Sequence, residues 1–438
     1  VLRDARKAVL VVEPGEVRTR PEPVRAAPLA VANPSRPTAA ELATTPEGPR
    51  QPPLPGIQPE PRVAGLADVR LDNGLRVVAV RDARAPLVEL RLRMPLGAGG
   101  WGRAAEVATL VHKLGEAAVR VRAPGGELRV SSDGQWLDVT GHVESSEADG
   151  WLAASAEVLT YDGYGELSPL RDAGQDIEQA LRRACLPESG GLADPRRILS
   201  PAGATLIAVG DLDPDGFAGR AASSFAAWMG ASEPKSSARL TPGRLVLPAV
   251  HASEVYLTLC WPEPAGDSGD PARYLATAVF GGYQRSRLAA RWAELGAGFE
   301  VLTGRELFLD FERVYLKARM PKELAVAAVS AIEAELGRMA GKPLTPSEVE
   351  PARGFCSGQL LGVFDAPSTM ADLLRQSVAS GREPTWLERM PSRLATVSVD
   401  DVSKAGEDLF APRPMLVAVA GEVDEPLGQR LAMLESRR

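Results

Sequence analysis

Each half of this chain ends in the same way. Leu206-Ile-Ala-Val-Gly-Asp-Leu-Asp-Pro214 and Leu416-Val-Ala-Val-Ala-Gly-Glu-Val-Asp424 start 210 residues apart. Both are short apolar runs of strand length that stop at glycine and an acidic residue. Solenoid repeats recur every 20–50 residues or so, and this spacing is far longer. The pattern is that of a whole domain duplicated.

The rest of each half must then supply a sheet and its cover. In the first half, Leu71-Asp72-Asn73-Gly74-Leu75 is a turn signal that feeds a strand to Arg81. From Leu87 to Met94, Val88, Leu90, Leu92 and Met94 alternate with Glu89, Arg91 and Arg93. That period of two predicts a half-buried antiparallel strand. Residues 103–120 carry Val107, Leu110, Val111, Leu114 and Ala118 on one helical stripe. Leu128–Val143 reads as a strand pair turned at Ser132-Asp133-Gly134, and Ser146 with Asp149 reads as a helix cap. A short helix is expected near Ile177–Ala184 and a buried strand at Thr205–Val209.

In the second half, strands are expected at Leu245–Leu247, Val255–Trp261, Leu307–Ala318 and Leu416–Val419. Helices are expected at Pro271–Phe280, Ser286–Leu295 and Glu323–Met339. Thr345 with Glu348 forms a capping box with Pro346 at the first helical position, and Ser398 with Asp401 opens a further helix. The fold class is α+β: two homologous domains, each an antiparallel-rich sheet with helices packed on one face. The boundaries are an arm at 1–63, a first domain at 64–231, a linker at 232–242 and a second domain at 243–438. The arm holds 13 of the 37 prolines and few large apolar residues, which predicts an extended, disordered segment.

Composition removes several classes. Net charge is −7, and no basic stripe suits a nucleic acid. No apolar run of membrane-spanning length exists, so no membrane partner is expected. Cys185, Cys260 and Cys356 are too scattered for a disulfide framework or a C-x-x-C site, which fits a reducing cytoplasm. Leu2–Val12 is too short and too charged for a signal peptide. Only 7 of the 50 basic residues are Lys, and Ala, Gly and Pro abound, a hint of a GC-rich bacterial coding sequence.

The order of motifs is more specific than any one of them. Leu71–Val77 is followed by the Pro86–Met94 strand, the 103–120 helix and Gly125-Gly126-Glu127-Leu128. Later come Gly281-Gly282, Ser286-Arg287-Leu288 and Glu294-Leu295-Gly296 before a long strand. From about residue 65 to 438 this order resembles the insulinase/pitrilysin metallopeptidases, also called inverzincins. The resemblance implies H-x-x-E-H on the first long helix, two histidines for zinc and a glutamate base, with a further Glu as third ligand. Here that window is Ala108-Thr109-Leu110-Val111-His112. Ala108 stands at the first His, Val111 at the base, and only His112 remains. The third ligand has no assignable place in the shortened 163–200 region.

Counting leads to the same conclusion. The chain has three histidines, His112, His142 and His251, and no two are within five residues. No paired-histidine zinc motif can exist. The resemblance also implies a peptide-pairing strand, whose positions here are Arg129 and Val130. An Arg and a Tyr for the scissile carbonyl fall at Trp292 and Phe299, with Arg291 adjacent as a substitute. Phe299 has no hydroxyl to donate to an oxyanion. The plainer readings are that His112 is a helix-flank residue and Arg291 a solvated one.

The resemblance thus implies a non-catalytic subunit. It would pair as a heterodimer with an active homologous metallopeptidase subunit and contribute chamber wall and contacts to a peptide substrate. No cofactor is expected in this chain, zinc being confined to the partner. A free-standing peptide-binding or scaffold protein of the same fold is the alternative. Gly97-Ala98-Gly99-Gly100-Trp101-Gly102 also fits the dinucleotide fingerprint. Yet the preceding strand alternates with charges, whereas a nucleotide-binding parallel strand is apolar on both faces. Ser357 lacks the G-x-S-x-G context of a serine hydrolase, and Cys356 has an apolar context that reads as core.

Overall fold

Asn73 shows why the first turn is built as it is. Its amide Nδ2 donates to the Phe225 and Trp228 carbonyls at 3.0 and 3.1 Å, and its Oδ1 accepts from Leu75 N. Gly74 follows with φ of 93°, a backbone state suited to glycine. The turn therefore fastens the first hairpin to the end of a distant helix. The computed structural model describes residues 62–63, 65–96, 104–121, 127–161, 164, 177–185, 199–230, 239–247, 253–264, 269–296, 300–308, 311–379 and 381–437. Residues 1–61 of the Pro-rich arm, the Gly97–Gly102 loop, His251, Phe299 and most of 163–200 lie outside the described residues.

The first half contributes β1 (Leu66–Arg70), β2 (Arg76–Arg81), β3 (Leu87–Pro95), β4 (Glu127–Ser132), β5 (Trp136–Glu144) and β6 (Thr205–Gly210). They form one sheet in the order β1-β2-β6-β3-β5-β4. Its helices are α1 (Ala104–Val121), α2 (Ala148–Thr160), α3 (Ile177–Cys185) and α4 (Pro214–Ser224). The second half contributes β7 (Gly243–Leu247), β8 (Glu254–Pro262), β9 (Glu300–Phe308), β10 (Phe311–Pro321) and β11 (Leu416–Ala420), in the order β7-β11-β8-β10-β9. Its helices are α5 (Pro271–Thr277), α6 (Arg287–Leu295), α7 (Ala325–Gly341), α8 (Pro346–Gly362), α9 (Pro367–Ala379), α10 (Trp386–Thr396), α11 (Val399–Leu409) and α12 (Glu425–Glu435). The class is mixed, with two sheets and a helical layer on each, as the patterning predicts.

The duplication is visible in the pairing. β6 runs parallel to β2 and antiparallel to β3; β11 runs parallel to β7 and antiparallel to β8. The structural offset is 211 residues, one more than the sequence alignment above. Two features set it. Gly210 ends β6 against Leu87 and Val88, and Gly421 follows β11 against Glu254 and Val255. Asp213 caps α4 by accepting from Gly216 N, and Asp424 caps α12 by accepting from Leu427 N, each at 3.0 Å. Apolar strand residues are interchangeable under a slip of one, but a close-approach glycine and a cap are not.

Each sheet is covered on both faces, which the patterning did not reveal. One face of the first sheet packs Val77, Val88, Leu90, Leu92, Leu137 and Val139 on α1, α2 and α4. The other face presents Val78, Val80, Ile207 and Val209 to Met370, Ala371, Leu374 and Val378 of α9, a helix of the second half. The second sheet receives α3 from the first half in return, against β7 and β11. Cys185 and Leu181 share a core with Cys260, Leu416 and Ala418. Residues 59–438 accordingly group as one compact unit.

Two local expectations are corrected. Ser146 and Asp149 make no capping box. A 3₁₀ turn at Ser145–Glu147 leads into α2 without a side-chain cap, and Asp149 accepts instead from Arg220 Nε at 2.6 Å. Leu307–Ala318 is not one strand: Leu307 and Phe308 belong to β9 and Phe311–Ala318 to β10, paired antiparallel. The alternation persists from one strand to the next, so the pattern alone does not mark where they divide. Ser398 does cap α11, accepting from Asp401 N at 3.1 Å, and Thr345 N donates to Glu348 at 2.9 Å at the start of α8.

Candidate functional site

Among the described residues, β4 is the last strand of its sheet and pairs with β5 alone. Its other edge carries no strand among those residues, and α1 packs beside it. The face of the sheet away from α1 is ordered in rows near that edge. His142 and Glu89 share one row; Arg129, Thr140 and Arg91 share the next; Ser131, Asp138 and Arg93 share the third. The alternation of β3 seen in the sequence is the source: its apolar residues enter the core, and its charges form this face.

The charges are held in fixed pairs. Arg93 grips the buried Asp138 with Nε at 2.8 Å and Nη2 at 3.0 Å, and Arg375 of α9 reaches the same carboxylate at 2.8 Å. Arg91 pairs with Glu89 at 2.9 Å and with Asp372 of α9 at 3.0 Å. His142 Nδ1 lies 2.5 Å from Glu89 Oε1. The result is a charged platform that leads to a strand edge with no partner strand among the described residues. Such an edge can accept an extended peptide through main-chain hydrogen bonds. His142 was counted in the sequence but given no role; its place in the row follows from register, which the sequence did not fix.

Arg129 is exposed on the charged face of β4. Val130, one residue on, turns to the opposite face and packs partly buried against the main core. The structure therefore separates these two expected substrate residues: one faces the platform, the other supports the sheet.

The motif helix α1 carries Ala108, Val111 and His112 along one flank. Ala108 and Val111 are half-buried and offer no donor atom. The His112 side chain is 65% exposed, with Nε2 at 3.5 Å from Glu116. That is the helix-flank position given as the plainer reading. Zinc needs three or four N, O or S donors converging at about 2.0–2.3 Å. One exposed imidazole does not meet that need. Among the described residues, no three His, Cys, Asp or Glu side chains gather where a metal could be held.

Arg291 is engaged elsewhere. Its Nε donates to Glu335 of α7 at 2.8 Å and its Nη1 to Glu294 at 2.7 Å. Trp292, at the place the resemblance gives to a carbonyl-holding Arg, is core. The carbonyl-binding pair is not assembled from Arg291 and Trp292, and Phe299 is outside the described residues.

Comparison with known proteins agrees with this geometry. Residues 196–354 match the family described as the peptidase M16 inactive domain. A peptidase M16 inactive domain from Pseudomonas fluorescens superposes with a TM-score of 0.65 at 16% identity, over 82% of this chain and 98% of that one. A protease from Helicobacter pylori superposes with a TM-score of 0.64 at 15% identity, over 82% and 100%. A chain of Complex III2 from Candida albicans, solved with Inz-5 bound, gives 0.65 at 12% identity, over 84% and 100%. No curated protein sequence matches the chain. The insulinase-like resemblance read from the motif order is borne out: the matched model is described as the peptidase M16 inactive domain, and the superposed structures share the fold.

Proposed function

We propose that this chain, a peptidase-like fold of the inactive kind, is the non-catalytic subunit of a heterodimeric zinc metallopeptidase. It contributes chamber wall and peptide contacts to an active homologous partner that carries the metal. The observation that supports this most directly is a contrast within one sheet. The strand edge at β4 and its charged platform remain built, while the adjacent motif helix offers Ala108 and Val111 where donors are needed. The ion pairs of that face also hold α9 through Asp372 and Arg375, which keeps the face ordered beside the edge.

The substrate is an extended peptide or unfolded segment that adds a strand to β4, with Arg129 beside it. Free, buried cysteines suit a bacterial cytoplasm. The test is reconstitution. The chain alone should hold no stoichiometric zinc and cleave no peptide. Mixed with an H-x-x-E-H homologue from the same genome, it should co-elute and raise peptide cleavage. One zinc per purified chain, with chelator-sensitive cleavage, would refute the proposal. A chain that captures peptides but never co-purifies with such a homologue would support a free-standing peptide binder instead.

A further inference from the structure

Glu178 and Arg182 stand one turn apart on one face of α3, and both reach toward β9 and β10. Only one of them is answered. Glu178 meets Arg313 at 2.9 Å and Lys317 at 2.7 Å. Arg182 is half-buried, yet it makes no ion pair and no hydrogen bond among the described residues, and its Nε is fully covered. Covering a charge without a partner is costly, and contacts of a guanidinium with a carboxylate are among the strongest polar contacts a protein makes. A cation left in this state is matched to an anion from outside the chain.

The surroundings of Arg182 leave room for one. Gly134 lies in the β4–β5 turn with φ of 78°, a backbone state suited to glycine. A Cβ there would come within 2.9 Å of Arg182 Nη1, so the glycine keeps the turn clear of the guanidinium. The same guanidinium stands 5.8 Å from the centre of the Phe308 ring, and that of Arg313 stands 3.8 Å from it. Arg313 and Lys317 share Glu178, and Glu306 also pairs with Arg313. Within this group Arg182, Arg313 and Lys317 are three cations against two carboxylates. The surplus is one positive charge, and Arg182 is the member without a carboxylate. Its place is at the end of a strand already described: Gly134 is two residues beyond Ser132, where β4 stops.

We infer that Arg182 receives a carboxylate of the peptide that adds to β4, and so selects extended segments with an acidic group where they pass the β4–β5 turn. The inference rests on the peptide reading of β4 given above and adds a substrate class to it. An Asp or Glu side chain and a free chain terminus present the same pair of oxygens, which the planar guanidinium meets in one geometry. A basic segment would bring a further cation to a group that already has one in surplus.

The test uses the full chain and short fluorescein-labelled Ser/Thr/Val peptides, read by fluorescence anisotropy. One Glu is moved through the peptide position by position, with Gln in the same places as the uncharged control. Each peptide is made with a free and with an amidated C-terminus, which separates a side-chain carboxylate from a terminal one. One Glu position, or the free terminus, should tighten binding at least about tenfold over its neutral counterpart, the scale of a charge-assisted contact. Arg182→Gln should erase that difference, so that acidic and neutral peptides bind alike, and Arg182→Lys should restore part of it. If Arg182→Gln fails to fold, as read by circular dichroism, the Glu-to-Gln ratios on the parent chain and on Arg182→Lys still decide. Saturable binding with no acidic preference, or a preference that survives Arg182→Gln, would overturn this inference and leave the β4 reading standing. Binding of no peptide at all, acidic or neutral, would overturn both.

Discussion

Arg313 of β10 is tied to Glu178 of α3, 135 residues earlier in the chain, by a 2.9 Å contact from Nη2 to Oε2. The guanidinium lies 3.8 Å from the centre of the Phe308 ring and is 1% exposed. Glu306 and Lys317 complete the group, the first on Arg313 and the second on Glu178. This is where the helix of one half is locked to the sheet of the other. Buried ion pairs add little to stability as a rule, but they fix which element docks where.

Removing one partner exposes that role. Glu178→Ala leaves a buried guanidinium with Glu306 alone, and should destabilise the chain by about 3 kcal/mol, the low end for breaking a buried pair. Urea unfolding monitored by tryptophan fluorescence checks it. Glu178→Ala combined with Arg313→Met should recover much of the loss, because the uncompensated charge is gone.

The same pair predicts an acid limit. Burial alone would raise the Glu178 carboxyl, yet Arg313 and Lys317 outweigh it and hold it below its ordinary value of 4.5. A carboxyl depressed on folding binds its proton more weakly in the folded state. Its contribution is therefore present above about pH 4.5 and is lost as pH falls through the folded value. Urea midpoints measured between about pH 6 and pH 3 should fall less steeply for Glu178→Gln than for the parent chain.

The reciprocal contact predicts long-range damage. Leu374 of α9 is fully buried against Val78, Val80, Ile207 and Val209 of the first sheet. Leu374→Ala should cost about 2–5 kcal/mol by leaving a cavity there. Hydrogen exchange should then quicken in β2 and β6, more than 160 residues from the substitution. Quickening confined to the second half would show that α9 does not support the first sheet.

These two exchanges also mark what was readable from sequence. Strand alternation at Leu87–Met94 and the apolar runs at 206 and 416 gave the sheets and the duplication, because burial on one face leaves a period of two. The three histidines excluded a paired-histidine motif, because a spacing count needs no geometry. α9 was not foreseen, since a helix buried between two halves lacks a simple polar face. The charged rows at β3, β5 and β4 were half legible: Glu89, Arg91 and Arg93 announced a polar face, but only the register places His142 and Asp138 beside them. The one-residue error in the duplication has the same cause, for similar apolar residues cannot set a register that a glycine and a cap do set.

That register yields a graded prediction. A Cβ at Gly210 would press directly on the Leu87 carbonyl oxygen, whereas one at Gly421 would stop 2.9 Å from Glu254 O. Gly210→Ala should destabilise by about 3 kcal/mol or more and Gly421→Ala by about 1–2, the scale of overpacking against backbone. Thermal unfolding of the two variants gives the order. Equal melting temperatures would overturn this difference in packing between the two glycines.

Restoring the motif should not restore catalysis. Ala108→His with Val111→Glu recreates H-x-x-E-H on α1, and positions 108, 111 and 112 share one helical flank. Two imidazoles then meet a metal, but no third donor gathers there among the described residues. Second-half groups do not assist, since Arg291 is bound to Glu335 and Trp292 is core. The double variant should bind zinc weakly, with a Kd at least about tenfold to a hundredfold above that of a three-ligand site, as loss of ligand support generally gives. It should show no peptide cleavage above buffer when purified alone. Dialysis against zinc followed by elemental analysis, and a fluorogenic peptide assay with and without chelator, measure both. Chelator-sensitive turnover by the double variant would mean that the third ligand survives and that only the motif helix was lost.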